Sequence, residues 1–195
     1  MIITARVSST ALVVSVWLAG CAGLPGAGDP PGAETGVDGA VCVGAPPAAV
    51  PGLVPATNPA LQARAQLASG QGGVCAARVF AVPVPVHTPV TVYRVYDSAN
   101  PRTQHGGWWS LTRPTGARDD YRARNAICRE WSALDRLLAC QLKPGAEVVL
   151  GTTQSVGCGD GTLYPRTADV QVYMANDARN GVLHVENCRE EGAWP

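Results

Sequence analysis

The sequence predicts an α+β fold: one disulfide-stapled domain, mostly antiparallel strands around one or two helices, following a disordered tether. Three observations carry this expectation. Short β-branched and aromatic runs lie on both sides of a single strong helical signal. Glycine and proline number 22 and 16 in 195 residues, so turns must be frequent. Seven cysteines are spread along the chain. The expected organisation is a signal segment over 1–20, a Pro/Gly/Ala-rich tether over 21–57 and the domain over 58–195.

The first residues point to a compartment. Arg6 is the basic residue of the start, and Ala11–Gly20 is mostly apolar. Such a run of about ten residues is half of the ~20 that cross a bilayer, but it suits the core of a signal peptide. Leu18-Ala19-Gly20-Cys21 then resembles the lipobox of bacterial lipoproteins. The resemblance implies that the Cys21 thiol takes diacylglycerol, that the chain is cut before it, and that the protein meets the membrane through this lipid anchor. Each buried methylene would contribute ~0.8 kcal/mol, so two or three chains hold stably. Ala22, where inner-membrane lipoproteins carry Asp, implies the outer membrane, facing the periplasm or the surface.

From Ala22 to Ala60 no aromatic residue occurs, and Gly, Pro and Ala dominate. Little apolar surface is available there to offset ordering entropy, so a tether is expected. Val41-Cys42-Val43 is an apolar island within it. With Cys21 set aside for lipid, six cysteines remain: Cys42, Cys75, Cys128, Cys140, Cys158 and Cys188. An even, widely spaced set predicts disulfides formed outside the cytoplasm, with fifteen connectivities open. No metal site is expected, because Cys-x-x-Cys is absent and His87, His105 and His184 show no ligand spacing.

Asn58-Pro59 reads as an N-cap with proline at the first helical position, predicting a helix over 59–69 that stops at Gly70. Residues 78–86 are expected to be extended and at an edge, given Pro83 and Pro85. Residues 90–96 form the best strand signal, and 108–112 a shorter one. Within 117–140, Ile127, Trp131, Leu134 and Leu138 recur at spacings of four, three and four, predicting one buried helical face. Ser132-x-x-Asp135 could cap a second helix there. Strands follow at 147–150, 169–174 and 181–186, the last two expected as a hairpin.

Fifteen basic residues, all arginine except Lys143, balance fifteen acidic ones, which argues against a nucleic-acid partner held by phosphate charge. A P-loop and His-Glu-x-x-His are absent, and Thr153-Gln-Ser-Val-Gly157 lacks the first glycine of a nucleophile elbow. Asp119-Asp120 suits a helix start, and Glu190-Glu191 a solvated end. Gly157-Cys-Gly-Asp-Gly161 reads as a disulfide-pinned turn rather than a calcium loop.

Arg94 is the sharper feature: a charge inside the apolar strand Val92-Tyr-Arg-Val-Tyr-Asp97 needs a partner or a ligand. Gly106-Gly-Trp-Trp-Ser-Leu-Thr112 follows, then a helical segment, and Gln171 lies in a late strand. This order resembles the ADP-ribosyltransferase fold of secreted bacterial toxins. The resemblance implies NAD as cofactor, with Arg94 on its phosphates, Ser110 on the nicotinamide side and a late carboxylate at the ribose. Gln171 stands where that glutamate is wanted, with Glu147 and Glu186 as other carboxylates. An enzyme of this kind would be an NAD-dependent ADP-ribosyltransferase or NAD glycohydrolase.

A structural role would instead stack Arg94 on Tyr96 or Trp108 and pair it with an acid such as Asp97. Trp108 and Trp109, neighbours on a strand, should point to opposite faces, and an exposed one beside Gly106-Gly107 would suit a glycan or peptide surface. The first expectation is therefore an envelope lipoprotein with a binding or structural role, its partner an envelope protein or glycan. The alternative is an NAD-binding, ADP-ribosyltransferase-like domain.

Overall fold

The computed structural model describes residues 33–194. The signal segment, Cys21 and the start of the tether lie outside them. Among the described residues no helix is long and apolar enough to cross a membrane.

The elements in chain order are β1 (Val54–Pro55), α1 (Pro59–Ala65), β2 (Val74–Ala81), β3 (Thr91–Tyr96), β4 (Trp108–Trp109), α2 (Arg118–Arg124), β5 (Arg136–Leu142), β6 (Glu147–Thr153), β7 (Val156–Gly157), β8 (Leu163–Tyr164), β9 (Val170–Tyr173) and β10 (Val185–Ala193). One sheet runs β1-β2-β6-β9-β4 and a second β10-β5-β3, with β7 and β8 paired apart. Every pairing between these strands is antiparallel. The expected α+β fold is the one observed, with two short helices and a predominance of strands.

Two-residue alternation places the core. Val148 and Leu150 of β6, Phe80 of β2, Val172 of β9 and Trp109 of β4 meet Val92 of β3 and Leu138, Cys140 and Leu142 of β5 in one large cluster. Val149 points the other way, towards Leu61 and Ala65 of α1. Leu137 of β5 and Val95 of β3 likewise turn outward, towards Tyr121 of α2 and Trp194. Both sheets are thus covered on two faces over much of their length. Gly151 of β6 lies where β2 shifts register between Val74 and Ala77. A methyl carbon there would stand 2.4 Å from the Ala76 carbonyl oxygen.

The six described cysteines form three bridges: Cys42–Cys75, Cys128–Cys158 and Cys140–Cys188. The first corrects the expected domain boundary. Cys42 and Leu53 are buried, Val54–Pro55 pairs with β2, and Arg78 bonds Glu34 and the Pro46 carbonyl. Residues 34–57 therefore pack on the domain, using a bridge, a short strand and an ion pair where aromatic side chains are lacking.

Element expectations also change: the strand expected at an edge over 78–86 is β2 over 74–81, paired with β1 on one side and β6 on the other. The first helix starts at Asn58, whose Oδ1 accepts from Leu61 N at 2.9 Å, but stops after Ala65, because Gln66 turns to bridge Val74. The helix expected through 140 ends at Arg124. Leu134 has φ 54° and Leu138 lies in β5, so their spacing does not describe one helical face. Ser132 and Asp135 start no helix; the Asp135 carboxylate accepts from Ser98 N at 2.8 Å. Finally, residues 169–174 and 181–186 are not a hairpin. The turn exists, with Asp177 bridging Val182, but β9 joins β6 while β10 crosses to β5.

Candidate functional site

Arg94 shares the inner face of β3 with Val92 and Tyr96, and its guanidinium reaches the gap between β4 and the Pro101–Thr103 turn. Nε donates to the Thr103 carbonyl at 2.6 Å, and Nη1 donates to the Trp108 carbonyl. None of the ion pairs among the described residues involves Arg94. Asp97, the acid expected beside it, instead accepts from Ala99 N at 2.9 Å. Burial pushes the guanidinium down to about 10, so it stays charged at neutral pH. The cation is satisfied by carbonyl dipoles rather than by a carboxylate. Gly106 makes room for it: a methyl carbon at that position would lie 2.5 Å from Nη2.

Beside this guanidinium lies a cavity of about 170 Å³, walled by Trp108, Trp109, Trp131 and Tyr121 and also lined by Gln171. Trp109 is buried, and its indole N–H donates to the Gly106 carbonyl at 2.7 Å. Trp108 is half-buried and tilts against Tyr173, with ring centroids 4.8 Å apart. Trp109 is therefore no surface platform, because its neighbours in the large core claim its ring. Among the described residues the exposed tryptophan is Trp131, 52% accessible, held on a short turn next to the Cys128–Cys158 bridge. Trp131 was concealed in the sequence because the helical spacing assigned it to a buried face.

Tyr121 closes the cavity from α2, its ring edge-on to Trp194 at 5.0 Å. Burial pushes its phenol up to about 12, while the nearby Arg94 charge pulls the other way. Gln171 is buried; its Nε2 donates to Thr153 Oγ1 at 2.9 Å and to the Asn125 carbonyl at 3.2 Å. Among the described residues nothing donates to its Oε1, leaving a neutral acceptor at the cavity.

The structure brings Arg94 and Gln171 into one cavity but leaves Ser110 out of it. Ser110 pairs with Tyr93 across the strands, and its Oγ donates to the Thr112 carbonyl at 2.7 Å and accepts from Thr112 N. That hydroxyl is engaged in a local turn and lines a different cleft, of about 430 Å³, with Asp169 and Arg124. Glu147 accepts from Asn58 Nδ2 at 2.5 Å, and Glu186 is exposed; neither lines the cavity. Glu191 is tied to Arg113 and Arg189, and Glu190 to Arg136, so that pair is ion-paired rather than simply solvated.

His105 lies near the sulfurs of Cys140 and Cys188, and Glu130 near those of Cys128 and Cys158. Both sulfur pairs are disulfides and offer no thiolate to a metal. In comparison with known proteins, the chain matches no family model, no curated protein and no solved structure.

Proposed function

We propose that the chain is an exported, lipid-anchored protein of the cell envelope whose domain binds a small ring-bearing ligand beside Arg94. The observation that carries the binding role is the cavity itself: four aromatic side chains around a cation that has no carboxylate partner. Flat apolar walls favour an aromatic or sugar ring, and the guanidinium favours an oxygen-rich or anionic edge on it. Export is supported by the cysteines, since all six described ones are bridged. The seventh, Cys21, is the one in the lipobox-like motif.

The second reading, an NAD-using ADP-ribosyltransferase or glycohydrolase, draws support from Arg94 and Gln171 sharing that cavity. Two features weigh against turnover. Gln171 brings no negative charge to stabilise a cationic ribose, and Ser110 is turned into another cleft.

The test is tryptophan emission of the oxidised full chain in detergent, titrated with NAD, nicotinamide and N-acetylglucosamine, while nicotinamide release from NAD is followed. The expected result is a saturable change with a ring-bearing probe and no release. Release that disappears in Arg94→Lys would favour the enzyme. No emission change with any probe would remove the cavity as a binding site. Anchoring is tested separately: labelled palmitate should enter the wild type and not Cys21→Ser, which should leave the membrane fraction.

A further inference from the structure

Arg94 also lines a second compartment, an open cleft of about 770 Å³ lined by three arginines and one carboxylate. Arg102 enters it from the Pro101–Thr103 turn and Arg179 from the turn after β9. Both are exposed, and neither guanidinium makes an ion pair or donates a hydrogen bond among the described residues. The carboxylate lining the cleft is Asp177, and its own turn uses it. It accepts from Asn180 Nδ2 at 2.6 Å, from Arg179 N at 3.1 Å and from Asn180 N at 3.3 Å, and these bonds, with a smaller contribution from the Arg179 charge, hold its pKa below the usual range.

The segments that carry the two outer arginines are pinned. Thr103 is fixed by its carbonyl to Arg94 and by its hydroxyl to the Asn100 carbonyl at 2.8 Å. The other turn is closed by the Asp177–Val182 bridge, and Asn176 Nδ2 holds its base to the Gly106 carbonyl at 3.3 Å. In a chain of zero formal net charge, three arginines from three separate segments thus converge on one cleft.

We propose that this cleft takes the phosphate groups of a phosphate ester, held by Arg102 and Arg179 with Arg94 as its more enclosed cation. Guanidinium forks match phosphate oxygens two at a time, and several of them suit a group of more than one negative charge. The cleft has room for the organic part as well as the phosphate. The inference rests on the reading of the domain as a ligand-binding module and adds the chemistry of a second compartment. A soluble ester and a lipid headgroup would present the same phosphate.

The experiment measures binding of inorganic pyrophosphate to the oxidised full chain by calorimetry, and of phosphatidylglycerol vesicles by flotation of a Cys21→Ser chain. The variant is Arg102→Gln with Arg179→Gln, and the control is the exposed Arg64→Gln on α1. Saturable pyrophosphate binding, weakened at least about tenfold in the double variant and unchanged in the control, is the expected result. The same dependence seen only with vesicles would support the site and assign its phosphate to a lipid. Absence of both, or equal weakening by Arg64→Gln, would overturn the inference. The tryptophan response to the neutral ring probes should survive in the double variant. Its retention without phosphate binding would sink the cleft alone, and its loss in the wild type would sink the cavity reading alone.

Discussion

A charged side chain in a strand is expensive unless something answers it, and at Arg94 the answer comes from Thr103 and Trp108 carbonyls and from the missing side chain of Gly106. Gly106→Ala should therefore displace the guanidinium. A loss of about 1–3 kcal/mol is expected, the usual cost of overpacking, read as a lower urea midpoint together with a weaker emission response to ligand. An unchanged midpoint and response would mean that Arg94 can swing aside freely. Tyr121 gives a pH test. Its phenol is held up to about 12 when folded, against about 10 unfolded. The folded form keeps its proton longer, so stability is intact below pH 10 and falls as pH rises towards 12. Tyr121→Phe should match the wild type at pH 8 and lose less by pH 11, by about 1 kcal/mol. Arg94 is present in both proteins, so it largely drops out of the difference. Parallel alkaline limbs in urea melts would refute the assignment.

At the scale of elements, β3 and the covered strand β6 are legible from their β-branched residues, whereas β5 is not. Residues 90–96 were recognised from their β-branched and aromatic content, and β3 occupies 91–96. Arg136–Leu142 reads as helix because β5 is central in its sheet, buried on both faces and, unlike β6, without a β-branched residue. Such a strand shows an apolar run without alternation, which periodicity cannot separate from a helix. The site was legible in the same partial way. Arg94 in an apolar strand was a local anomaly visible in sequence, whereas its meeting with Tyr121, Trp131 and Gln171 depends on which strands pair. The segment 34–57 was misjudged because composition cannot reveal a bridge partner. Cys42–Cys75 clips that segment to β2. Replacing both cysteines by alanine should cost about 2–4 kcal/mol. Hydrogen exchange should then speed up first in residues 34–57, before β6 is affected. Uniform acceleration would show that the clip belongs to the global unit instead.

For the whole molecule, the strand order makes the chain depend on its bridges. In the larger sheet β6 sits between β2 and β9, and in the smaller one β5 sits between β3 and β10, so neither sheet closes until late parts of the chain arrive. The three bridges join residues 33, 30 and 48 positions apart, and each secures a different region: the N-terminal segment, the Trp131 turn with β7–β8, and β5 with β10. At about 2–4 kcal/mol each they supply roughly 6–12 kcal/mol together. A domain of this size is stable by only about 5–15 kcal/mol, so the bridges account for most of the margin. The fully reduced chain is therefore expected to lose its cooperative thermal transition and its near-UV circular dichroism. Because β10 closes its sheet last and is held through Cys188, the Cys140–Cys188 bridge should be the hardest to dispense with. Chain made without export, in a reducing cytoplasm, should accumulate unfolded and protease-sensitive, and recover a sharp transition only after oxidation. An unchanged melting point in excess dithiothreitol would mean that the two-sheet core suffices by itself, and the link drawn between the cysteines and an oxidising compartment would fall with it.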